Sequence, residues 1–186
     1  MEIELLKKAL SSKIAPAVKH DGQTKLAAVL MVIYGKEPTI IMTERPKTMN
    51  HHAGEISFPG GTWQQYDNDL LATALRETKE EMNLDIHRQQ IIGQISPVTT
   101  LNSSFTIMPF ICVLDEIPEL TPNSEIETIL HIPFMPLLKT IEDDLDPSHK
   151  SIQEMYTFRY QNHLIWGASA RMLKQIMNLL SSSGLL

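Results

Sequence analysis

A glycine pair stands directly ahead of an acid-crowded helical pattern in residues 60–84, GGTWQQYDNDLLATALRETKEEMNL. At about 100° per residue, Glu80 lies about 60° to one side of Glu77 and Glu81 about 40° to the other. The three carboxylates therefore share one narrow face, which we expect to be exposed. Leu71, Leu75, Thr78 and Met82 lie well around the barrel, with Ala74 at the border, so one side of the helix can enter a core. Asp67, Asn68 and Asp69 are all competent N-caps and put negative charge at the helix's positive end.

Three neighbouring carboxylates raise the cost of keeping all of them ionised, and a cation relieves it. Glutamate oxygens suit the hard cations Mg²⁺ and Mn²⁺, which keep several waters and share their shell with substrate phosphates. The chemistry implied is metal-assisted attack of water on phosphorus. A glutamate-rich face is more often simply solvated, supported by i,i+4 pairs of opposite charge. Here the i,i+4 pair is Glu77 with Glu81, two like charges that cost helix stability, and the flanking residues favour the cation.

The formal net charge of −6 carries that reading further. Acid gathers at 115–127 and 142–146 with no basic counter-patch, which argues against nucleic acid as a partner. An acidic protein acting on a polyanion needs a metal to bridge them. The single cysteine, Cys112, sits in the apolar run FTIMPFICVL and reads as a buried small hydrophobe; no intramolecular disulfide is possible, which fits a reducing cytoplasm. Residues 1–10, MEIELLKKAL, read as an amphipathic helix packing Ile3, Leu6 and Leu10 rather than a signal peptide. The longest apolar stretch, 26–34, is far short of the roughly 20 residues of a membrane span.

That stretch reads instead as a buried strand, followed after Gly35, Lys36 and Glu37 by a second at 38–43 in a hairpin. Residues 91–98 and 105–114 are further strands, with 102–104 as the turn between them; 128–132 and 155–160 are strand candidates. Residues 169–180 form a second long amphipathic helix. At 186 residues the chain suits one domain, a mixed α/β sheet with helices on it, rather than two.

Residues 61–84 resemble the Nudix box, G-x5-E-x7-R-E-U-x-E-E-x-G-U with U apolar, through Gly61, Arg76, Glu77, Glu80, Glu81 and Leu84. Counting back from Arg76, the first Glu falls on Asn68 and the Gly on Thr62. Thr78 stands for the apolar residue and Asn83 for the last glycine; Asn tolerates the left-handed conformation that ends a helix. Upstream, Ile41, Met42, Arg45, Met49, His52, Gly54, Glu55, Ile56, Phe58, Pro59, Gly60, Gly61 and Asp67 are similar to the extended signature of the coenzyme A pyrophosphatase branch. In that branch the Asp and the extra residue before the helix are the normal form. The resemblance continues more weakly at 125–133 and 163–173.

The resemblance implies a Nudix-type α/β/α sandwich and Mg²⁺ or Mn²⁺ on Glu77 and Glu81. Glu80 is then a third ligand or the proton acceptor, and a glycine carbonyl, at Gly61, completes a shell. It implies that Arg76 orients a glutamate, that Glu125 adds a ligand or base, and that Arg45, His52 and Gly60 meet substrate. The expected reaction is hydrolysis of a diphosphate linkage in a nucleotide, above all coenzyme A or an acyl form. The alternatives are another nucleotide substrate, such as a nucleotide sugar, a dinucleoside polyphosphate or an oxidised nucleotide, or a nucleotide-sensing module without catalysis. Oligomeric state is left open.

Overall fold

A computed structural model describes residues 3–17, 25–48, 54–100, 104–146 and 155–186. In chain order the elements are α1 (Ile3–Leu10), β1 (Lys25–Tyr34), β2 (Thr39–Glu44), β3 (Ile56–Ser57), β4 (Gly60–Thr62) and α2 (Leu70–Met82). They continue with β5 (Ile91–Gln94), β6 (Val98–Thr99), β7 (Phe105–Leu114), β8 (Thr128–Pro133) and α3 (Phe134–Leu138). The last are β9 (Glu142–Asp143), β10 (Tyr156–Tyr160), β11 (His163–Ile165) and α4 (Gly167–Ser182).

Apolar residues run through β1 without a polar break because both of its faces are covered. Leu26, Ala28, Leu30 and Val32 enter one core with Leu70, Leu71, Ala74 and Met82 of α2. Val29, Met31 and Ile33 point the other way, into a core shared with Leu6 and Leu10 of α1 and Leu173 and Ile176 of α4. The period of two along a strand produces this division. β1 and β2 form the expected hairpin, with Ile33 opposite Ile40. On its other edge β1 runs parallel to β7 over its full length, from Lys25 opposite Phe105 to Tyr34 opposite Leu114.

The main sheet has the order β3-β2-β1-β7-β5, with β4 on β1, β6 on β7 and β8 on β2. β9, β10 and β11 form a smaller sheet. All these pairings except β1 with β7 are antiparallel, so the sheet is mixed and the architecture is the expected α/β/α sandwich.

The strand expected over 91–98 is two, β5 and β6. Pro97 has no N–H to give the ladder, and beside it the Ser96 N–H donates to the Gln175 side chain of α4 at 3.0 Å. The helix expected at 169–180 begins earlier and ends later, at Gly167–Ser182, and the N-terminal helix is described over Ile3–Leu10. β3, β4, α3, β9 and β11 escape the sequence reading because runs of two to five residues carry almost no periodic signal. Cys112 is buried as expected, and burial pushes its thiol up to about 12. Among the described residues no helix is long and apolar enough to cross a membrane.

Candidate functional site

Of the three candidate N-caps Asp69 takes the position: its side chain accepts from the Ala72 N–H at 2.8 Å. Asp69 is also gripped by the Arg88 guanidinium at 3.0 and 2.7 Å. At the other end Asn83 is left-handed (φ 55°, ψ 31°), and its N–H closes onto the Lys79 carbonyl, as its residue type suggested. The following loop satisfies further carbonyls of the last turn. Thr121 N–H donates to Met82 O at 3.1 Å and Asn123 N–H to Glu81 O at 2.9 Å. Thr78, at the apolar position, is fully buried, and its hydroxyl has no hydrogen-bond partner among the described residues.

β4 brings backbone against the acidic face. The Gly60 N–H donates to Glu81 Oε2 at 3.0 Å. At Gly61 a Cβ would fall 2.5 Å from the carboxyl carbon of Glu77, so only glycine lets the strand lie there. Here the expectation of a uniformly exposed acidic face is corrected. Glu81 is 3% exposed and Glu77 mostly buried, while Glu80 turns outward with 55% of its side chain exposed. The 40° offset that groups Glu81 with Glu77 also carries it toward the sheet, where β4 covers it.

Burial pushes the Glu81 carboxyl up to about 7, against the opposing pull of the Gly60 N–H and the Arg45 charge and with further push from Glu77 and Glu125. Glu77 is also raised, first by burial; Arg76 opposes this, and Glu80 and Glu125 add to it.

Arg76 holds the outer side of the cluster. Its Nη1 lies 2.8 Å from Glu77 Oε1 and 3.1 Å from Glu80 Oε2. Its Nε and Nη2 donate to Asp67 Oδ1 and Oδ2 at 3.0 and 2.9 Å. Burial works to raise Asp67, but bonds from Arg76, the Gln64 N–H and Thr73 outweigh it and hold the carboxyl below its ordinary range. The carboxylate that the Nudix box would place at Asn68 is thus supplied by Asp67. Sequence reading missed its contact with Arg76. The one available signal was the Asp of the narrower signature, nine positions before the arginine.

Two further candidates face the buried pair. Arg45 follows β2 and is half-buried, with its backbone tied to Glu55 O and Gly54 N–H at 3.1 Å each. Glu125 is exposed in a turn closed by its own N–H on Asn123 Oδ1 at 2.9 Å. The Glu127 N–H bond to Glu44 O, at 2.8 Å, ties this turn to the end of β2. The Gly60 N–H is taken up by Glu81. His52 lies outside the described residues, as do Met49 of the extended signature and residues 102–103 of the expected turn.

The geometry gathers Gly60, Gly61, Glu77, Glu81 and Arg76, with Arg45 and Glu125 within electrostatic reach. Among the described residues no three His, Cys, Asp or Glu side chains close on one point as a finished metal cage would. The donor set nevertheless fits a hard divalent cation. It offers oxygen only, two of its carboxylates are destabilised by burial and like charge, and a glycine backbone lies against one of them.

Fold and site together define the class. The NUDIX domain family profile matches residues 24–155, and the chain belongs to that family. Its members act on small nucleotide substrates and generally use divalent cations such as Mg²⁺ or Mn²⁺. Among similar proteins, one from Photorhabdus laumondii described as the uncharacterized Nudix hydrolase NudL is 35% identical over 166 residues, covering 87% of each chain. A NudL of the same description from Pectobacterium atrosepticum is 27% identical over 169 residues, covering 88% of this chain and 87% of that one. The crystal structure of a MutT/nudix family protein from Enterococcus faecalis superposes with a TM-score of 0.63 at 13% identity, over 91% of this chain and 66% of that chain. The solution structure of the E. coli ORF135 protein gives 0.53 at 15% identity, over 88% and 97%. At such identities the likeness concerns the fold alone.

Proposed function

We propose that this protein hydrolyses the diphosphate linkage of coenzyme A or an acyl-coenzyme A, yielding 3′,5′-ADP and 4′-phosphopantetheine or its acylated form. The observation that carries the reading is the buried Glu81 carboxylate, backed by Glu77, faced by Glu125 and met by the glycine backbone of β4. A carboxylate held so far from water gains little as a structural residue and much as a ligand. Glu77 and Glu81 would hold Mg²⁺ or Mn²⁺, with a carbonyl of Gly61 beside them. Such a cation neutralises phosphate oxygens and lowers the pKa of attacking water.

The protein groups divide the remaining work. Arg76 fixes the orientation of Glu77 and pairs with Glu80. Glu80, paired with Arg76, and Glu125, on its exposed turn, are the two groups that this reading offers for taking a proton from water. Arg45 acts on Glu81 through its charge, and a positive group there would suit a diphosphate. The choice of coenzyme A rests on the signature from Arg45 to Asp67.

The test is incubation of purified protein with coenzyme A and Mg²⁺ or Mn²⁺. A nucleotide sugar, a dinucleoside polyphosphate and an oxidised nucleoside triphosphate serve as parallel substrates. Release of both products from coenzyme A, faster than from the others, is expected; their absence from a folded protein rejects the substrate. Nucleotide binding in metal without any product would make this a sensing module instead.

A further inference from the structure

Tyr66 and Asp67 are neighbours on the connection from β4 to α2 and point opposite ways: Asp67 is 6% exposed, Tyr66 73%. The backbone around the ring is held. The Asp67 N–H donates to Gln64 O at 2.9 Å, the Gln64 N–H to Asp67 Oδ2 at 3.1 Å, and the Trp63 indole N–H to the Asp67 carbonyl at 3.1 Å. A turn tied in this way fixes where Tyr66 leaves the chain.

A single exposed apolar side chain is ordinary on a protein surface. The setting of this one is not. The Arg76 guanidinium carbon lies 5.4 Å from the ring centre, a cation–π contact that holds the ring against the outer side of the acidic cluster. The same guanidinium reaches Glu77 Oε1 from Nη1 at 2.8 Å. With one C–N bond of about 1.3 Å between these contacts, the ring centre stands no more than about 10 Å from the Glu77 carboxylate. At 73% exposure the aromatic surface beside the site is still open to a ligand.

A nucleotide fits that interval. Six single bonds separate a base from its 5′-phosphorus, about 7 Å when extended at about 1.2 Å of advance per bond. With its phosphate oxygens on a cation at Glu77, the base can come level with the ring. Every nucleobase has a π-face that stacks on an aromatic side chain. The pantetheine arm, a flexible chain of amides and methylenes, has none.

We infer that Tyr66 is the platform on which the adenine of the substrate stacks. This rests on the reading that Glu77 and Glu81 hold a cation against the diphosphate of coenzyme A. Loss of an aromatic ring that stacks a base weakens binding by roughly 5- to 100-fold.

The experiment measures binding to the full chain with Mg²⁺ by titration calorimetry. The ligands are 3′,5′-ADP and ribose 3,5-bisphosphate, which keeps both phosphates and lacks the base. Tyr66→Ala is expected to raise the Kd of 3′,5′-ADP about tenfold and that of ribose 3,5-bisphosphate by less than about twofold. Tyr66→Phe, which keeps the ring, should stay within about twofold of the unaltered chain for both. An unchanged Kd for 3′,5′-ADP in Tyr66→Ala overturns the inference. Equal losses for the two ligands also overturn it, and so does a Tyr66→Phe loss as large as that of Tyr66→Ala, which would place the effect on the hydroxyl. Should Tyr66→Ala not fold, nuclear Overhauser effects between the adenine protons of bound 3′,5′-ADP and the Tyr66 ring in the unaltered chain decide: their presence is expected, and their absence overturns the inference. If the unaltered protein does not cleave coenzyme A, the substrate reading falls and this one with it; cleavage of coenzyme A with an unaffected Tyr66→Ala rejects this one alone.

Discussion

Glu81 is the residue at which sequence and structure part most clearly. Helical geometry groups it with Glu77 and Glu80, but its depth comes from β4, a strand of three residues that has no sequence periodicity. The folded protein holds the Glu81 proton up to about pH 7, against 4.5 ordinarily. Between those values the folded state binds more protons than the unfolded chain, so this group's contribution to stability falls as pH rises through the window. Glu81→Gln should therefore stabilise the metal-free protein at about pH 8 by on the order of 2 kcal/mol, the gain vanishing near pH 4.5. Calorimetry at the two pH values checks this; a variant less stable than the parent at the higher pH would mean that the ionised carboxylate is not under strain. With Mg²⁺ and substrate the same variant should lose about 10²-fold or more in kcat, the cost of removing a charged metal ligand. Stability and turnover would move in opposite directions, as they do where a site is built from groups that destabilise the fold.

At the scale of elements, the glycine pair and α2 act as one unit. Gly60 has φ +149°, and a Cβ there would stand 2.2 Å from the Ala28 carbonyl oxygen and 2.6 Å from Val29 Cα. Both are backbone atoms of the central strand and cannot step aside. Gly60→Ala is expected to cost about 3 kcal/mol or more, through overpacking and a backbone conformation that alanine avoids. Urea denaturation measures it, and a loss under about 1 kcal/mol would show that β4 can shift away from β1. The need for glycine at 60 and 61 was readable as a motif, although a Pro-Gly-Gly run equally suits a plain turn. What decided between turn and strand was pairing with Ala27, Ala28 and Val29, a contact across more than thirty positions of chain. Asn83 shows the opposite case, since a helix end depends on one residue and its own last turn.

Across the whole molecule the sheet is a partition. One face carries α2 and the acidic site; the other carries α1, α4 and the smaller sheet. Leu6 is fully buried in the second core while its neighbour Leu5 is 46% exposed. Leu6→Ala should lose about 2–4 kcal/mol, whereas Leu5→Ala should stay within about 0.5 kcal/mol. The folded Leu6→Ala protein should keep the kcat of its parent, because the sheet separates that core from the site. Denaturation midpoints and initial rates test both halves; a large drop in kcat at full folding would mean that the two faces are coupled.

By itself the sequence determined the long strands, the two long helices, the acidic pattern and the end of α2, because each follows from a local period or a single residue's backbone preference. It also carried the family likeness, since that motif is a contiguous string. Only the tertiary structure decided that Glu81 is buried and Glu80 is not, that Asp67 rather than Asn68 meets Arg76, and that β1 and β7 run parallel. Those outcomes depend on which distant segment covers a given face, and the free energy of burial and pairing exists only once both partners have arrived.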